Sequence, residues 1–419
     1  MTRIRRTRTA ELLVAVLLAG AACSSDDSGD DAAPADQTTA ADGTTTTTAA
    51  AAGVDAERVQ GIVEALASDE MGGRDNQTDG SVLAQDFLVD QLGQFTEPVD
   101  GDTLDGYGYP FAEGTNLIGQ IPGGERADEY VVLGAHYDHL GADCPSDTAG
   151  DDICNGAGDD ASGVATVLEV GRLLAADPEP PPRTVILALW DAEEDGLLGS
   201  AAYIADPAVP LDDTVAYLNW DIQGSNLSPA LADTTVVVGA ETGGPNLVAA
   251  TTAATEASSL DTLALSLLFG QGRSDHANFA NAGVPIVFFT DANTPCYHTS
   301  QDDLSNLDFD KLDQQILTAE ALTRDMTSTD DLPEYDAAAP PATYDDAVSM
   351  LGVVSAGQPD FGLFDEASQA TAEQFLADLN TMVDAGPEAF DDDAVSTLLG
   401  GSVDIVESLS TGECDGFLD

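Results

Sequence analysis

Lysine is almost absent from this chain: Lys311 stands alone, and 12 basic residues face 76 acidic ones in 419, a formal net charge of −64. Phosphate backbones need a basic footprint, so this balance excludes nucleic acid as a partner. Such charge keeps a protein soluble and opposes compaction by self-repulsion. Two explanations stand side by side, a salt-rich habitat that screens the repulsion and the general composition of an Ala- and Asp-rich proteome. Cysteine is also scarce, with five in all. No Cys-x-x-Cys spacing supports the alternative of a cysteine zinc site. Four cysteines remain after Cys23, an even number that suggests two disulfides in an exported chain. Cys144 and Cys154 bracket one short loop, and Cys296 with Cys414 then follows by elimination.

The N-terminus reads as a targeting segment. Arg3, Arg5, Arg6 and Arg8 form a basic start, and Leu12 to Leu18 is an apolar run too short to span a membrane. Small residues lead to Cys23, so residues 1–23 suggest a signal peptide with lipidation at Cys23. A bacterial lipoprotein, anchored at the cell surface by that lipid, is the expectation. Ordinary secretion, or twin-arginine export through Arg5-Arg6, are alternatives that also place the chain outside the cytoplasm. Residues 24–53 contain no large apolar side chain and cannot bury a core, which predicts a flexible acidic and Thr-rich tether.

From residue 54 the pattern changes. Val59, Ile62, Val63 and Leu66 have helical spacing, as do Val82, Leu83, Phe87, Leu88 and Leu92. Apolar runs follow at 116–121, 130–133, 184–189, 215–218, 235–238 and 284–289. They do not alternate strictly, which suits strands buried on both faces. Helical patterns at 161–175 and from Phe309 separate several of them. The expectation is an α/β domain over 54–330, a doubly wound and mostly parallel sheet with flanking helices. Residues 331–342 are rich in Pro and Asp and mark a boundary. Helical patterns at 345–351, 372–383 and 395–409 predict a small helical extension over 331–419.

The four histidines lie in short acidic motifs. In an open α/β sheet, ligands bind beyond the carboxyl ends of the strands. The run 131–133 leads into His136, 185–189 into Glu193-Glu194, 215–218 into Asp221, and 284–289 toward Tyr297-His298. Parallel strands would bring these groups to one edge. Imidazole and carboxylate hold zinc where no cysteine is recruited. A carboxylate with two oxygens, such as Asp159, can bridge two metals, and of two adjacent glutamates one can ligate while the other accepts a proton from water. Asp138, two residues from His136, can accept the second ring N–H of a ligating imidazole.

Six motifs occur in order: Gly134–Gly141, Gly158-Asp159-Asp160-Ala161-Ser162-Gly163, Trp190-Asp191-Ala192-Glu193-Glu194, Leu218-Asn219-Trp220-Asp221, Ser274-Asp275-His276 and Tyr297-His298-Thr299. Together they closely resemble the di-zinc aminopeptidase family, over roughly residues 55 to 328. The resemblance implies two zinc ions per chain, one on His136 and Asp221, the other on Glu194 and His298, with Asp159 between them. It implies Glu193 as general base, Tyr297 as the oxyanion donor, Asp138 as the residue orienting His136, and a cis bond between Asp159 and Asp160. Arg273 and the Asp275-His276 pair are implied to shape the substrate pocket. Read by themselves, His139 is a strand-end cap or a donor to a backbone carbonyl, His276 a structural residue rather than a ligand, and Asp160 a helix-start carboxylate. The implied activity is removal of N-terminal residues from peptides with a free α-amine, held by Glu193 or Asp221. A carboxypeptidase would want a basic pocket, for which Arg273 is the one obvious candidate. The rivals are a single-zinc glutaminyl-peptide cyclase on the same fold and a non-catalytic peptide-binding lipoprotein.

Overall fold

The computed structural model describes residues 53–102, 104–142, 144, 151–410 and 414. The expected signal peptide, lipidated Cys23 and all but the last residue of the tether lie outside them. Strands run in chain order as β1 (Glu97–Pro98), β2 (Gly108–Pro110), β3 (Thr115–Ile121), β4 (Arg126–His136), β5 (Gly141–Ala142), β6 (Ile153–Cys154), β7 (Arg183–Trp190), β8 (Thr214–Trp220), β9 (Thr234–Val238), β10 (Asp261–Leu265) and β11 (Ile286–Thr290). Helices are α1 (Ala56–Leu66), α2 (Asp79–Leu92), α3 (Ser162–Ala175), α4 (Leu198–Ala205), α5 (Gly244–Glu256), α6 (His276–Asn281), α7 (Phe309–Ser328), α8 (Tyr344–Gly357), α9 (Glu366–Ala385) and α10 (Asp392–Leu409).

The main sheet has the order β1-β3-β7-β4-β8-β11-β9-β10, with β2 beside β3. Its centre, β7-β4-β8-β11, is parallel throughout. The flanks reverse: β3 is antiparallel to β7, and β9 is antiparallel to β11. This is a mostly parallel α/β sheet with flanking helices. The four parallel strands are those whose sequences run into His136, Glu193-Glu194, Asp221 and Tyr297-His298, so their carboxyl ends share one edge.

The central strands carry no polar face because both faces are covered. Every residue of β7 and β8 is buried. On one side α1, α2, α3 and α7 close the larger core around Leu133, Leu187, Leu218 and Val167. On the other, Trp190 and Tyr217 pack with Phe279 of α6, and the Tyr217 and Phe279 rings stack with centroids 3.7 Å apart. Helix starts are fixed by side chains that accept otherwise unpaired N–H groups. Asp55, Thr78, Asp308 and Asp365 do so for α1, α2, α7 and α9, and Thr343 with Asp346 forms a reciprocal capping box on α8.

The C-terminal helices differ from a detached appendage. They form their own small core around Phe375, Leu379 and Leu398, which also takes in Phe269 from the main domain. The Asp346 carboxylate accepts from the N–H and the hydroxyl of Ser266, just past β10, both at 2.8 Å. The described residues form one compact unit. Both expected disulfides are present, Cys144–Cys154 and Cys296–Cys414.

Candidate metal centre and active site

His136 ends β4, and its ring is directed by its own turn. Nδ1 lies 3.1 Å from the backbone carbonyl of Asp138, which leaves Nε2 facing the site. Nε2 is 3.1 Å from Asp159 Oδ1, 3.6 Å from Asp221 Oδ1 and 4.0 Å from Glu193 Oε2. The other oxygen of Asp159 faces a second set. His298 Nε2 is 3.2 Å from Asp159 Oδ2 and 3.2 Å from Glu194 Oε2. Asp159 therefore divides its two oxygens between two groups of donors.

His139 belongs to the second group, which corrects the expectation of a strand-end cap. Its Nδ1 lies 2.7 Å from Glu194 Oε1 and 3.9 Å from Asp159 Oδ2. Two clusters have donor atoms close enough to share one ion each, His136–Asp159–Asp221 and His139–Asp159–Glu194. Apart from these close approaches within the cluster, His139 Nε2, Asp159 Oδ1, Glu194 Oε1 and His298 Nε2 are buried with no hydrogen-bond partner. Buried polar atoms are normally paired. Unpaired nitrogen and oxygen donors that converge in this way fit a metal ion, and the mixed imidazole–carboxylate set suits zinc.

Asp138 makes further contacts beside the expected one to His136. Its carboxylate lies 3.5 Å from His136 Nδ1, and its two oxygens accept the N–H groups of Glu193 and Glu194 at 3.0 and 3.2 Å. It positions the di-glutamate turn as well as the imidazole. Asp160 sits behind the ligands and accepts from the backbone N–H groups of His136, Gly163 and Ile222. The Asp159–Asp160 bond is cis.

Burial pushes the Glu193 carboxyl well above its ordinary range, with Asp221 adding to the rise and His136 opposing it. Burial also pushes Glu194 up, but His139 and His298 outweigh it and hold the carboxyl down at about 2. Two adjacent glutamates are thus driven apart, one toward the protonated form and one firmly ionised. His298 is disfavoured as a cation by burial, yet Asp159 and Glu194 raise it to about 10. Burial keeps the Tyr297 phenol protonated, and its ring stacks on His298 at 3.7 Å.

Arg273 lines the cavity that opens from the cluster, whereas Asp275 and His276 do not. Asp275 is wholly buried, and burial pushes it up to about 7. The His276 ring stacks on Phe288 at 4.3 Å, and burial alone lowers it to about 3. Both residues are part of the packing behind the site, a correction to the pocket role implied for them. They begin α6, whose first turn faces the sheet rather than the cavity.

Several residues that hold the site were missed. Arg74 is fully buried and donates to the carbonyls of Tyr137, Leu66, Asn155 and Gly156. It locks the loop that delivers Asp159. Asp302 accepts from the N–H groups of Gly158 and Asp159 at 2.8 and 3.0 Å. A lone arginine after Met71-Gly72-Gly73, in a chain so poor in cations, was the signal for the first. The second followed Tyr297-His298-Thr299 closely enough to be suspected.

Residues 116–323 match the description Peptidase family M28. These residues belong to peptidase family M28. Among curated relatives, the stretch is 32% identical over 236 residues to the probable glutamate carboxypeptidase LAMP1 of Arabidopsis thaliana, covering 49% of this chain and 33% of that protein. It is 30% identical over 210 residues to leucine aminopeptidase 1 of Ajellomyces capsulatus (strain H88), covering 47% and 52%. The chain thus spans only a third to a half of the length of these relatives. Among solved structures, the Legionella pneumophila LapA aminopeptidase superposes with a TM-score of 0.53 at 20% identity, covering 66% of this chain and 72% of that one. The Bacteroides thetaiotaomicron glutaminyl cyclase does so with a TM-score of 0.52 at 20% identity, covering 65% and 98%. Likeness at this identity establishes the fold alone, which an aminopeptidase and a cyclase share.

Proposed function

We propose that this M28 chain is an exported zinc aminopeptidase that removes N-terminal residues from peptides. The observation that carries the reading is the division of Asp159, one oxygen toward His136 and Asp221 and the other toward His298, His139 and Glu194. Two groups of donors around one shared carboxylate would suit a pair of zinc ions, and this supports the two-zinc reading over a single-zinc cyclase. Zinc held by these residues would activate water as the nucleophile and polarise the scissile carbonyl. Glu193 is the residue left free of ligand duty beside the cluster. Its raised carboxyl suits a group that takes a proton from water and returns it to the leaving amine. Tyr297, kept protonated, can donate to the oxyanion. Glu193 and Asp221 supply negative charge for a free α-amine, and among the described residues lining the cavity Arg273 is the single cation, which disfavours recognition of a substrate carboxylate.

Metal content and turnover of a panel of aminoacyl-p-nitroanilides test the reading. Two zincs per chain, with turnover that falls about 10²–10⁴-fold in Glu193→Gln, is the expected result. One zinc with cyclisation of N-terminal glutamine would replace it with the cyclase. No zinc and no turnover would leave a binding protein. Export and anchoring form part of the proposal, supported by the basic start, short apolar run and Cys23. Cys23→Ser should move the protein from the membrane fraction to the medium. Finding the unaltered chain in the cytoplasm would refute export. No binding to DNA or RNA is expected at a net charge of −64.

A further inference from the structure

The acidic cluster opens into a cavity of about 190 Å³. Its floor is Asp159, Glu193, Glu194 and Asp221, and one wall is the sheet, through Val236, Val238 and Phe288. The opposite wall comes from outside the family region, which ends at residue 323. Val353 of α8, Phe361 in the turn after it, and Ile405 and Leu409 of α10 all face the cavity. Val353 and Leu409 also pack against the sheet core that contains Phe288. This wall is fastened at two places. Asp346 ties the start of α8 to Ser266, and Cys414, just past α10, is bonded to Cys296, the residue before Tyr297. Gly401 allows α10 to approach α9: a Cβ there would lie 2.1 Å from the Phe375 ring.

We propose that the three C-terminal helices form the specificity wall of the active site, so that this chain selects peptides whose N-terminal residue carries a bulky apolar side chain. The inference rests on the aminopeptidase reading. An α-amine and scissile carbonyl held at the acidic floor leave the first side chain as the apolar part of the substrate next to the apolar chamber. Ligand pockets of this kind are apolar walls with a few convergent polar groups. In such a pocket one methylene more or less on the substrate changes discrimination by about 10- to 200-fold, so a wall filled with larger side chains should discriminate against bulky substrates.

The test compares Leu409→Trp and Val353→Trp with a control, Val348→Trp, whose side chain on α8 is exposed. The readouts are the ratio of kcat/KM for Phe- over Ala-p-nitroanilide, and calorimetric binding of L-phenylalanine hydroxamate against L-alanine hydroxamate. A fall of about 10-fold or more in either ratio in the wall variants, with the control like the parent, is expected. Ratios equal to the parent's in correctly folded wall variants would overturn the inference and leave the aminopeptidase intact. If the parent hydrolyses no aminoacyl substrate but its hydroxamate preference depends on Leu409, the wall stands and the activity falls. No preference for the phenylalanine ligand in the parent would overturn the wall.

Discussion

Removing Arg74 should loosen the loop that carries Asp159. The guanidinium makes four hydrogen bonds of 2.6 to 2.9 Å to the carbonyls of Leu66, Tyr137, Asn155 and Gly156. Burial lowers its pKa, while Asp302 and Asp159 stabilise its charge. Arg74→Met keeps much of the apolar stem and strands four acceptors, each at a cost of about 1–3 kcal/mol. The variant also escapes the desolvation of a buried cation, several kcal/mol in the other direction. The balance for breaking a buried charged network is a loss of about 3–5 kcal/mol. Urea unfolding should show the midpoint falling with an unchanged slope. Arg74→Lys should lie between, since an ammonium keeps the charge but not the planar fork. The loop from Asn155 to Asp159 should also bind zinc more weakly in Arg74→Met. A loss below about 1 kcal/mol would show that water replaces the arginine, and the reasoning would fail.

His139→Ala should weaken zinc on the Glu194 and His298 side by about 10-fold or more. Competition with a chelator measures this, and an unchanged titration would make His139 a packing residue. His276 is held at about 3 in the fold, below its ordinary value, by burial alone. A depressed histidine contributes stability that is present above about 6.5 and is lost as pH falls toward about 3, at about 1.4 kcal/mol per pH unit. His276→Leu should remove that one-proton dependence from stability curves between pH 6.5 and 4, and a retained slope would assign it elsewhere. With a net charge of −64, raising NaCl to about 1 M shortens the screening length from about 10 Å at 0.1 M to about 3 Å. The melting temperature should rise in response, and one insensitive to salt would dismiss the self-repulsion argument.

Four of the six motifs were legible because each follows an apolar run. The central strands are buried on both faces, so β4, β7, β8 and β11 stand out as continuous Val, Ile, Leu and Phe runs, and the polar residues after them mark the sheet edge. The same logic placed α1, α2, α3 and α7, whose apolar residues recur at helical spacing; Cys144–Cys154 was read from its short loop and Cys296–Cys414 by elimination. It failed where the local pattern is weak. Helix α5, Gly-Pro-Asn-Leu-Val-Ala-Ala-Thr-Thr, has few large apolar residues, and β10 is a short edge strand with mixed exposure. Both take their form from neighbours rather than from periodicity.

The order of motifs, the acidity, and the candidate ligands on four strand ends were properties of the sequence alone. Three things were decided by tertiary structure. His139 entered the metal cluster because the turn after β4 brings Nδ1 to Glu194, a contact that spans 55 residues. Asp275 and His276 left the pocket because α6 turns their side chains into the packing. The C-terminal helices, which carry no histidine and no motif, became a wall of the cavity because their apolar faces had to be buried somewhere. Sequence spacing determines which groups a strand or helix presents. Only the packing of those faces determines which groups meet.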